Sequence, residues 1–135
     1  MPHPVDLSVI VPAWREGPNL AALLPEIRQV LDSLAICHET IVVARQPDDQ
    51  TQEAVVQSGG KLVEQSSPGY GGALLTGFAM ASGTYLLTMD ADLSHPPDLI
   101  RKLWLHRHDA EITIASRYVP GGSASMLIAA LPRPF

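Results

Sequence analysis

The sequence lacks the features that mark several classes of protein. Its single cysteine, Cys37, cannot form an intrachain disulfide, so nothing points to an oxidising compartment. No apolar run approaches the roughly 18 residues that a membrane-spanning helix needs, and residues 1–6 do not resemble the start of a signal peptide. Lysine and arginine total 9 against 14 aspartates and glutamates, without the basic surplus of a nucleic-acid binder. We therefore expect a chain that is soluble as written and has no nucleic-acid partner.

What the sequence does contain is a regular alternation of short apolar runs and helical segments. Strands are predicted at residues 7–12, 39–44, 61–65, 85–89 and 111–115, and helices at about 20–34, 51–58, 72–81 and 96–104. This order predicts an α/β fold, with a mostly parallel sheet and helices on both faces. Ligands of such sheets bind outside the carboxyl ends of the strands. The residues that follow each strand are therefore the candidates for a functional site.

Two carboxylates, Asp90 and Asp92, follow the fourth predicted strand. Residues two apart on an extended segment point the same way, so both can contribute oxygen ligands to one hard cation, Mg²⁺ or Mn²⁺, which also binds a diphosphate. The alternative is a pair of solvated aspartates in a loop. An Asp-x-Asp pattern alone does not decide between the two, although its place at the end of an apolar strand favours the metal site.

Three other features are open to two interpretations each. The glycines of residues 69–72 either let the backbone approach a phosphate closely at the start of a helix or form an ordinary loop, which the pattern alone favours. Arg117 follows the fifth predicted strand and either clamps phosphate oxygens or forms a surface salt bridge. Trp14 either stacks on a base or packs in the core, and its loop position favours a site.

Five segments, taken together, resemble known enzymes. They are residues 7–20, residues 39–43, residues 69–83 with Gly69-Tyr70-Gly71-Gly72 at their start, residues 89–97 with Asp90-Ala91-Asp92, and residues 116–122 with Ser116-Arg117-Tyr118. In order and spacing they resemble the family 2 glycosyltransferases, and most closely the dolichol-phosphate mannosyltransferase (polyprenyl-phosphate glycosyltransferase) group. The resemblance covers nearly the whole chain up to residue 123.

The resemblance implies a GT-A nucleotide-diphospho-sugar transferase fold, a Rossmann-like sheet covered by helices on both faces. It implies an inverting, metal-assisted transfer of a hexose (mannose or glucose) from GDP-mannose or a UDP-sugar to a polyprenyl or dolichyl phosphate. The implied site residues are Pro12, Trp14, Glu16, Val42, Asp90, Ala91 and Arg117 for the nucleotide-sugar, Asp90, Asp92 and Ser94 for Mg²⁺ or Mn²⁺, and Asp92 and Arg117 for catalysis. The lipid acceptor implies a cytoplasmic, peripheral location at the membrane face, with a membrane protein as a further partner.

The chain departs from the family pattern in two places. After the second strand the family usually has two aspartates, the first of which recognises the nucleotide base, whereas this chain has Ala44 and Arg45. The pattern also predicts a donor-binding domain at residues 1–123 that lacks the family's C-terminal part, followed by an atypical tail at residues 124–135. These departures leave an alternative from another class: a degenerate or truncated GT-A module without catalysis, which binds a nucleotide weakly or acts through a protein partner.

Overall fold

The fold is a single mixed sheet with helices packed against it. The computed structural model describes residues 4–115 and 126–130. In chain order the elements of this part are β1 (Leu7–Ala13), α1 (Gly17–Ser33), β2 (His38–Ala44), α2 (Asp49–Ser58), β3 (Lys61–Glu64), α3 (Gly69–Met80), β4 (Tyr85–Thr88), α4 (Leu99–Leu105), β5 (Ile112–Ala115) and β6 (Met126–Ala130).

The strands lie in the order β3-β2-β1-β4-β6-β5. β1 is parallel to both β2 and β4, and β2 is parallel to β3. β6 runs antiparallel to its two neighbours, β4 and β5. The prediction of a mostly parallel α/β sheet is therefore confirmed.

The central strands are buried on both faces, which is why their sequences are continuous apolar runs. Side chains of β1 alternate between two clusters: Val9 and Val11 pack with α1, α2 and α4, while Ile10 packs with α3 on the opposite face. α1 presents the predicted stripe to the first cluster, and Leu20, Leu23, Leu24, Ile27 and Leu31 are all buried. The predicted covering of both faces by helices is confirmed for this part of the sheet.

The start of α1 differs from the prediction. The helix begins at Gly17, three residues before the predicted start at about residue 20, and Glu16 precedes it; Pro18 occupies the first turn, where no backbone N–H donor is needed. Asn19 lies within the helix and donates from Nδ2 to Oε2 of Glu16 at 2.7 Å. Pro25 lies inside the helix.

β6 was not predicted. Residues 126–130 form a short apolar run, and such a run does not distinguish a strand from a buried helical segment. In the structure it separates β4 from β5, with Leu87 paired to Ile128 and Ile114 paired to Leu127. Part of the segment described as an atypical tail thus belongs to the sheet, while the proposed boundary at residue 123 stays a prediction.

A buried polar network joins the amino-terminal ends of the strands. Glu39 of β2 accepts hydrogen bonds from Ser8 Oγ (2.6 Å), Lys61 Nζ (2.8 Å) and Ser82 N (2.7 Å). Ser8 Oγ in turn accepts from Gly83 N at 2.8 Å. The network links β1, β2, β3 and the turn that leads into β4, on the edge opposite the predicted site.

None of the helices in residues 4–115 has the length and apolar character needed to cross a membrane.

Candidate active site

An open cavity of about 560 Å³ lies at the carboxyl ends of the strands. This volume is within the range of small-molecule sites, and the position is the one at which parallel α/β sheets bind ligands. The loops after β1, β2, β3 and β4 and the start of α3 supply its walls. Its lining residues are Pro12, Ala13, Trp14, Glu16, Arg45, Gln65, Gly69, Tyr70, Ala73, Asp90, Ala91 and Asp92.

Six of the residues predicted from the sequence therefore meet around one cavity: Pro12, Trp14, Glu16, Asp90, Ala91 and Asp92. They come from the ends of two adjacent strands, β1 and β4. This arrangement follows from the topology, because parallel neighbours end at the same edge of the sheet.

The backbone of Asp90 is fixed by a hydrogen bond to the buried side chain of His95. The Asp90 N–H donates to Nδ1 of His95 at 3.0 Å, and His95 is almost completely buried. A neutral His95 ring that accepts at Nδ1 carries its proton on Nε2, which lies 3.8 Å from Oδ2 of Asp90. His95 therefore fixes the loop after β4 rather than facing a ligand. On the cavity side, the Tyr70 hydroxyl lies 3.4 Å from Oδ1 of Asp90.

Asp92 is held in its ionised form by Ser94. The Ser94 hydroxyl donates to Asp92 Oδ1 at 2.5 Å, and the Ser94 N–H donates to the same oxygen at 3.0 Å. These two hydrogen bonds lower the pKa of Asp92 below its usual range. In this structure Ser94 contacts the Asp92 carboxylate and does not itself line the cavity. Its predicted role as a metal ligand remains a proposal.

The donor set of this cavity fits a hard divalent cation. Asp90 and Asp92 both line it, while Ala91 between them is buried. Among the described residues, no group of three or more histidine, cysteine, aspartate or glutamate side chains could hold a metal ion. Two carboxylates without a third protein ligand match the way Mg²⁺ is commonly bound, with substrate phosphates completing the shell. The side chains therefore fit a cation that is shared with a bound diphosphate.

The β1 side of the cavity carries an accessible aromatic face. The Trp14 side chain is 69% exposed, so it is not a core residue. The Arg15 guanidinium lies over its ring, 5.2 Å from the centroid. A large exposed aromatic ring at the mouth of a cavity offers a flat base or sugar a surface on which to stack.

Among the described residues, the predicted site residue Val42, like Ser94, does not line the cavity. Val42 lies within β2, and its side chain is fully buried in the core cluster with α1, so its predicted contact with the nucleotide-sugar stays a prediction. Arg117 lies outside the described residues, so its predicted contacts with the donor phosphates remain a proposal.

The lining residues outside the predicted set are three with polar side chains, Arg45, Gln65 and Tyr70, and three small ones, Ala13, Gly69 and Ala73. Arg45 and Gln65 follow the ends of β2 and β3, so their place at this edge could have been predicted: β2 lies beside β1, and β3 lies beside β2. Tyr70 was noted only as part of a glycine-rich segment. That segment is the first turn of α3 and not a loop.

The loops of the site leave their strands through strained backbone. Arg15, Gln46 and Leu93 follow β1, β2 and β4, and their φ angles are 53°, 48° and 66°. Residues other than glycine adopt this left-handed region rarely, at a cost of about 1–2 kcal/mol. Such conformations are concentrated at functional sites, where neighbouring structure holds them in place. Their position at this edge of the sheet is consistent with a binding site.

Comparisons with known proteins agree with this architecture. A family model described as "Glycosyl transferase family 2" matches residues 8–125. The dolichol-phosphate mannosyltransferase of Saccharomyces cerevisiae is 35% identical over 128 residues, which cover 87% of this chain and 46% of that protein. The protein of the same name from Pyrococcus furiosus is 36% identical over 124 residues, which cover 87% of this chain and 35% of that protein. The chain thus spans less than half the length of these relatives.

A solved structure shows the same fold. Glucosyl-3-phosphoglycerate synthase from Mycobacterium tuberculosis, crystallised with Mn²⁺, uridine diphosphate and glucosyl-3-phosphoglycerate, aligns with a TM-score of 0.66 and 25% identity. The alignment covers 80% of this chain and 42% of that one. The sheet, the cavity and these matches together show that the chain has a GT-A fold and belongs to glycosyl transferase family 2, within its dolichol-phosphate mannosyltransferase group.

Proposed function

We propose that the chain is the donor-binding part of an enzyme that transfers a hexose from a nucleotide-diphospho-sugar to a polyprenyl or dolichyl phosphate. The observation that carries this proposal is the meeting of Asp90, Asp92 and the exposed Trp14 around one cavity at the carboxyl edge of the sheet. Two relatives named dolichol-phosphate mannosyltransferase support the choice of sugar and acceptor.

In the proposed complex, the diphosphate of the donor lies toward Asp90 and Asp92 and the nucleoside lies toward Trp14. Trp14 stacks on the nucleoside, while Pro12 and Ala91 form apolar parts of the wall. Mg²⁺ or Mn²⁺ held by Asp90 and Asp92 would offset negative charge on the leaving nucleoside diphosphate. Arg117 would contact the donor phosphates through its guanidinium fork.

The proposed reaction is a single displacement with inversion. An oxygen of the acceptor phosphate attacks the anomeric carbon of the sugar, the bond from that carbon to the nucleoside diphosphate breaks, and the diphosphate leaves with the electron pair. A phosphate acceptor is already ionised near neutral pH, so the step needs little help from a general base. Catalysis then depends mainly on position and on charge stabilisation, in which Asp92 and Arg117 take part.

The acceptor determines where such a reaction takes place. A polyprenyl phosphate keeps its hydrocarbon chain in a bilayer and its charged group at the surface. We therefore place the chain at the cytoplasmic face of a membrane as a peripheral protein, with a membrane protein as a further partner. The dolichol-phosphate acceptors named for the relatives support this location.

A transfer assay tests the proposal. The purified chain is incubated with labelled GDP-mannose or UDP-glucose, Mn²⁺ and a short polyprenyl phosphate in detergent, and label in the lipid fraction is measured. We expect transfer that falls at least a hundredfold in Asp92→Asn and is unchanged in Asp109→Asn, since Asp109 pairs with His106 on the surface. Donor binding without any transfer would contradict the enzyme proposal and favour the non-catalytic GT-A module.

A further inference from the structure

The charges around the cavity are separated along the sheet. Asp90 and Asp92 follow β4, whereas Arg45 follows β2, and β1 lies between these two strands. With neighbouring strands about 4.8 Å apart, the two ends of the cavity are about 10 Å from each other at the level of the backbone. A nucleotide whose diphosphate lies at the aspartates therefore extends its base toward Arg45. This placement rests on the proposed function.

Arg45 has its backbone fixed and its guanidinium unengaged. Ala44, just before it, is buried, and its carbonyl accepts a hydrogen bond from Gln65 N at 2.9 Å. Within the described part of the chain no hydrogen bond or ion pair holds the Arg45 side chain, which is exposed to the cavity. The other charged lining residues are engaged: Oε2 of Glu16 accepts from Asn19 at 2.7 Å, for example.

Gln65, which lines the same β2 end of the cavity as Arg45, is also held by hydrogen bonds. The side-chain amide of Gln65 donates from Nε2 to the carbonyl oxygens of Ser67 (2.5 Å) and Gly69 (2.7 Å). Both donors of that amide are therefore used to hold the loop between β3 and α3. Arg45 is left as the free hydrogen-bond donor at the β2 end of the cavity among the side chains described.

We propose that Arg45 selects the nucleotide base, and that it favours guanine. A guanidinium carries donors only, arranged as a rigid fork that pairs with two adjacent acceptors. Guanine presents such a pair in O6 and N7, while adenine presents N7 beside an amino donor. Uracil carries an N–H between its two carbonyl oxygens, so it presents no two adjacent acceptors to the fork, which can pair with only one uracil oxygen at a time. The Arg45 guanidinium would therefore contact acceptor atoms of the base, whereas an aspartate at this position would contact its N–H groups.

Calorimetric titration with GDP, UDP and 7-deaza-GDP in the presence of Mn²⁺ tests this role. 7-Deaza-GDP lacks the N7 acceptor but keeps the diphosphate, so it separates contacts with the base from contacts with phosphate. We expect the unmodified chain to bind GDP at least tenfold more tightly than UDP and about tenfold more tightly than 7-deaza-GDP. Arg45→Ala should remove both preferences. Arg45→Lys, which keeps the charge but loses the fork, should remove most of them.

Two results would overturn the proposal. Equal affinity of the unmodified chain for GDP and UDP, or an equal loss of affinity for all three nucleotides in Arg45→Ala, would show that Arg45 does not read the base. Either result would leave the donor site standing. If the chain, folded by circular dichroism, binds none of the three nucleotides, the proposed function fails and the role of Arg45 fails with it.

Discussion

At the scale of single residues, the fold rests on a buried carboxylate that takes no part in the cavity. Burial alone would raise the pKa of Glu39, but hydrogen bonds from Lys61, Ser8 and Ser82 outweigh it and lower the pKa to about 2. A carboxylate whose pKa is lower in the folded state than in the unfolded chain stabilises the fold when it is ionised. The free energy of unfolding therefore depends on whether Glu39 is ionised.

We predict that Glu39→Gln lowers the free energy of unfolding at pH 7 by on the order of 2–3 kcal/mol. The folded pKa is lowered, so this stabilisation is present above pH 4.5, the ordinary value, and is lost as the pH falls toward about 2. Urea unfolding between pH 7 and pH 2 measures it. The variant should lose the part of the pH dependence that Glu39 causes, whereas the exposed Glu64→Gln should keep it. Parallel pH profiles for Glu39→Gln and the unmodified chain would refute this.

The sequence predicts which residues line the cavity only where their position at the end of a strand determines where they lie. Asp90, Asp92, Trp14 and Glu16 could be identified because they follow strand ends, and strand ends in a parallel sheet meet. The residues alone do not single out Val42, because much of β2 is buried on both faces and an apolar run of this kind carries no alternation that marks a site. The hydrogen bonds from Ser94 to Asp92 depend on the local turn, which the residue types do not specify.

At the scale of elements, α3 shows why the glycine-rich segment has its composition. A Cβ at Gly72 would lie 2.2 Å from the carbonyl oxygen of Ser67, so the preceding loop passes directly over this residue. A Cβ at Gly71 would meet nothing within 4 Å. The glycine at position 72 is thus required by packing, whereas the glycine at position 71 is not.

These two neighbours form a matched pair of substitutions. Gly72→Ala should lower the free energy of unfolding by about 3 kcal/mol, because backbone has to move to make room. Gly71→Ala should leave it unchanged or raise it by up to about 1 kcal/mol, since alanine has the higher helix propensity. Thermal and urea unfolding of both variants measure the difference. Equal effects would show that the loop does not pack on α3 in this way.

Element prediction succeeded where apolar runs were bounded by turn residues and failed where they were not. β1 and β2 were found because their apolar runs end at loop residues, and the stripe of α1 has clear helical spacing. α3 begins three residues earlier than predicted, because glycines were taken as loop. β6 was missed because its pairing with β4 and β5 is made by sheet contacts that are remote in sequence.

At the scale of the whole molecule, one end of the sheet exposes apolar side chains. Ile112 and Ile114 of β5 are 57% and 59% exposed on the same face. β5 is also the last strand of the sheet in the described residues, so its outer backbone groups form an edge. An exposed edge strand with an apolar face favours association with another chain.

We therefore predict that the isolated chain associates with itself at micromolar concentrations. The double variant Ile112→Thr/Ile114→Thr should weaken the association at least tenfold, because it removes most of the apolar area at this face. Val56→Thr on α2 is the control, since Val56 is 77% exposed but lies on another face. Sedimentation velocity over a concentration series measures the effect. Equal behaviour of all three proteins would show that β5 is not the contact.

The central claim is that the cavity binds a nucleotide diphosphate together with a divalent cation. Trp14 lines the cavity, and its fluorescence in a Trp104→Phe variant, which leaves it as the one tryptophan, tests the claim most directly: GDP and UDP are titrated into this chain with Mn²⁺ and then with excess EDTA. We predict binding with Mn²⁺ that weakens at least tenfold in EDTA and at least tenfold in Asp92→Asn, because the cation links carboxylate to phosphate. Nucleotide binding that is indifferent to both changes, or no binding by a folded chain, would contradict the account.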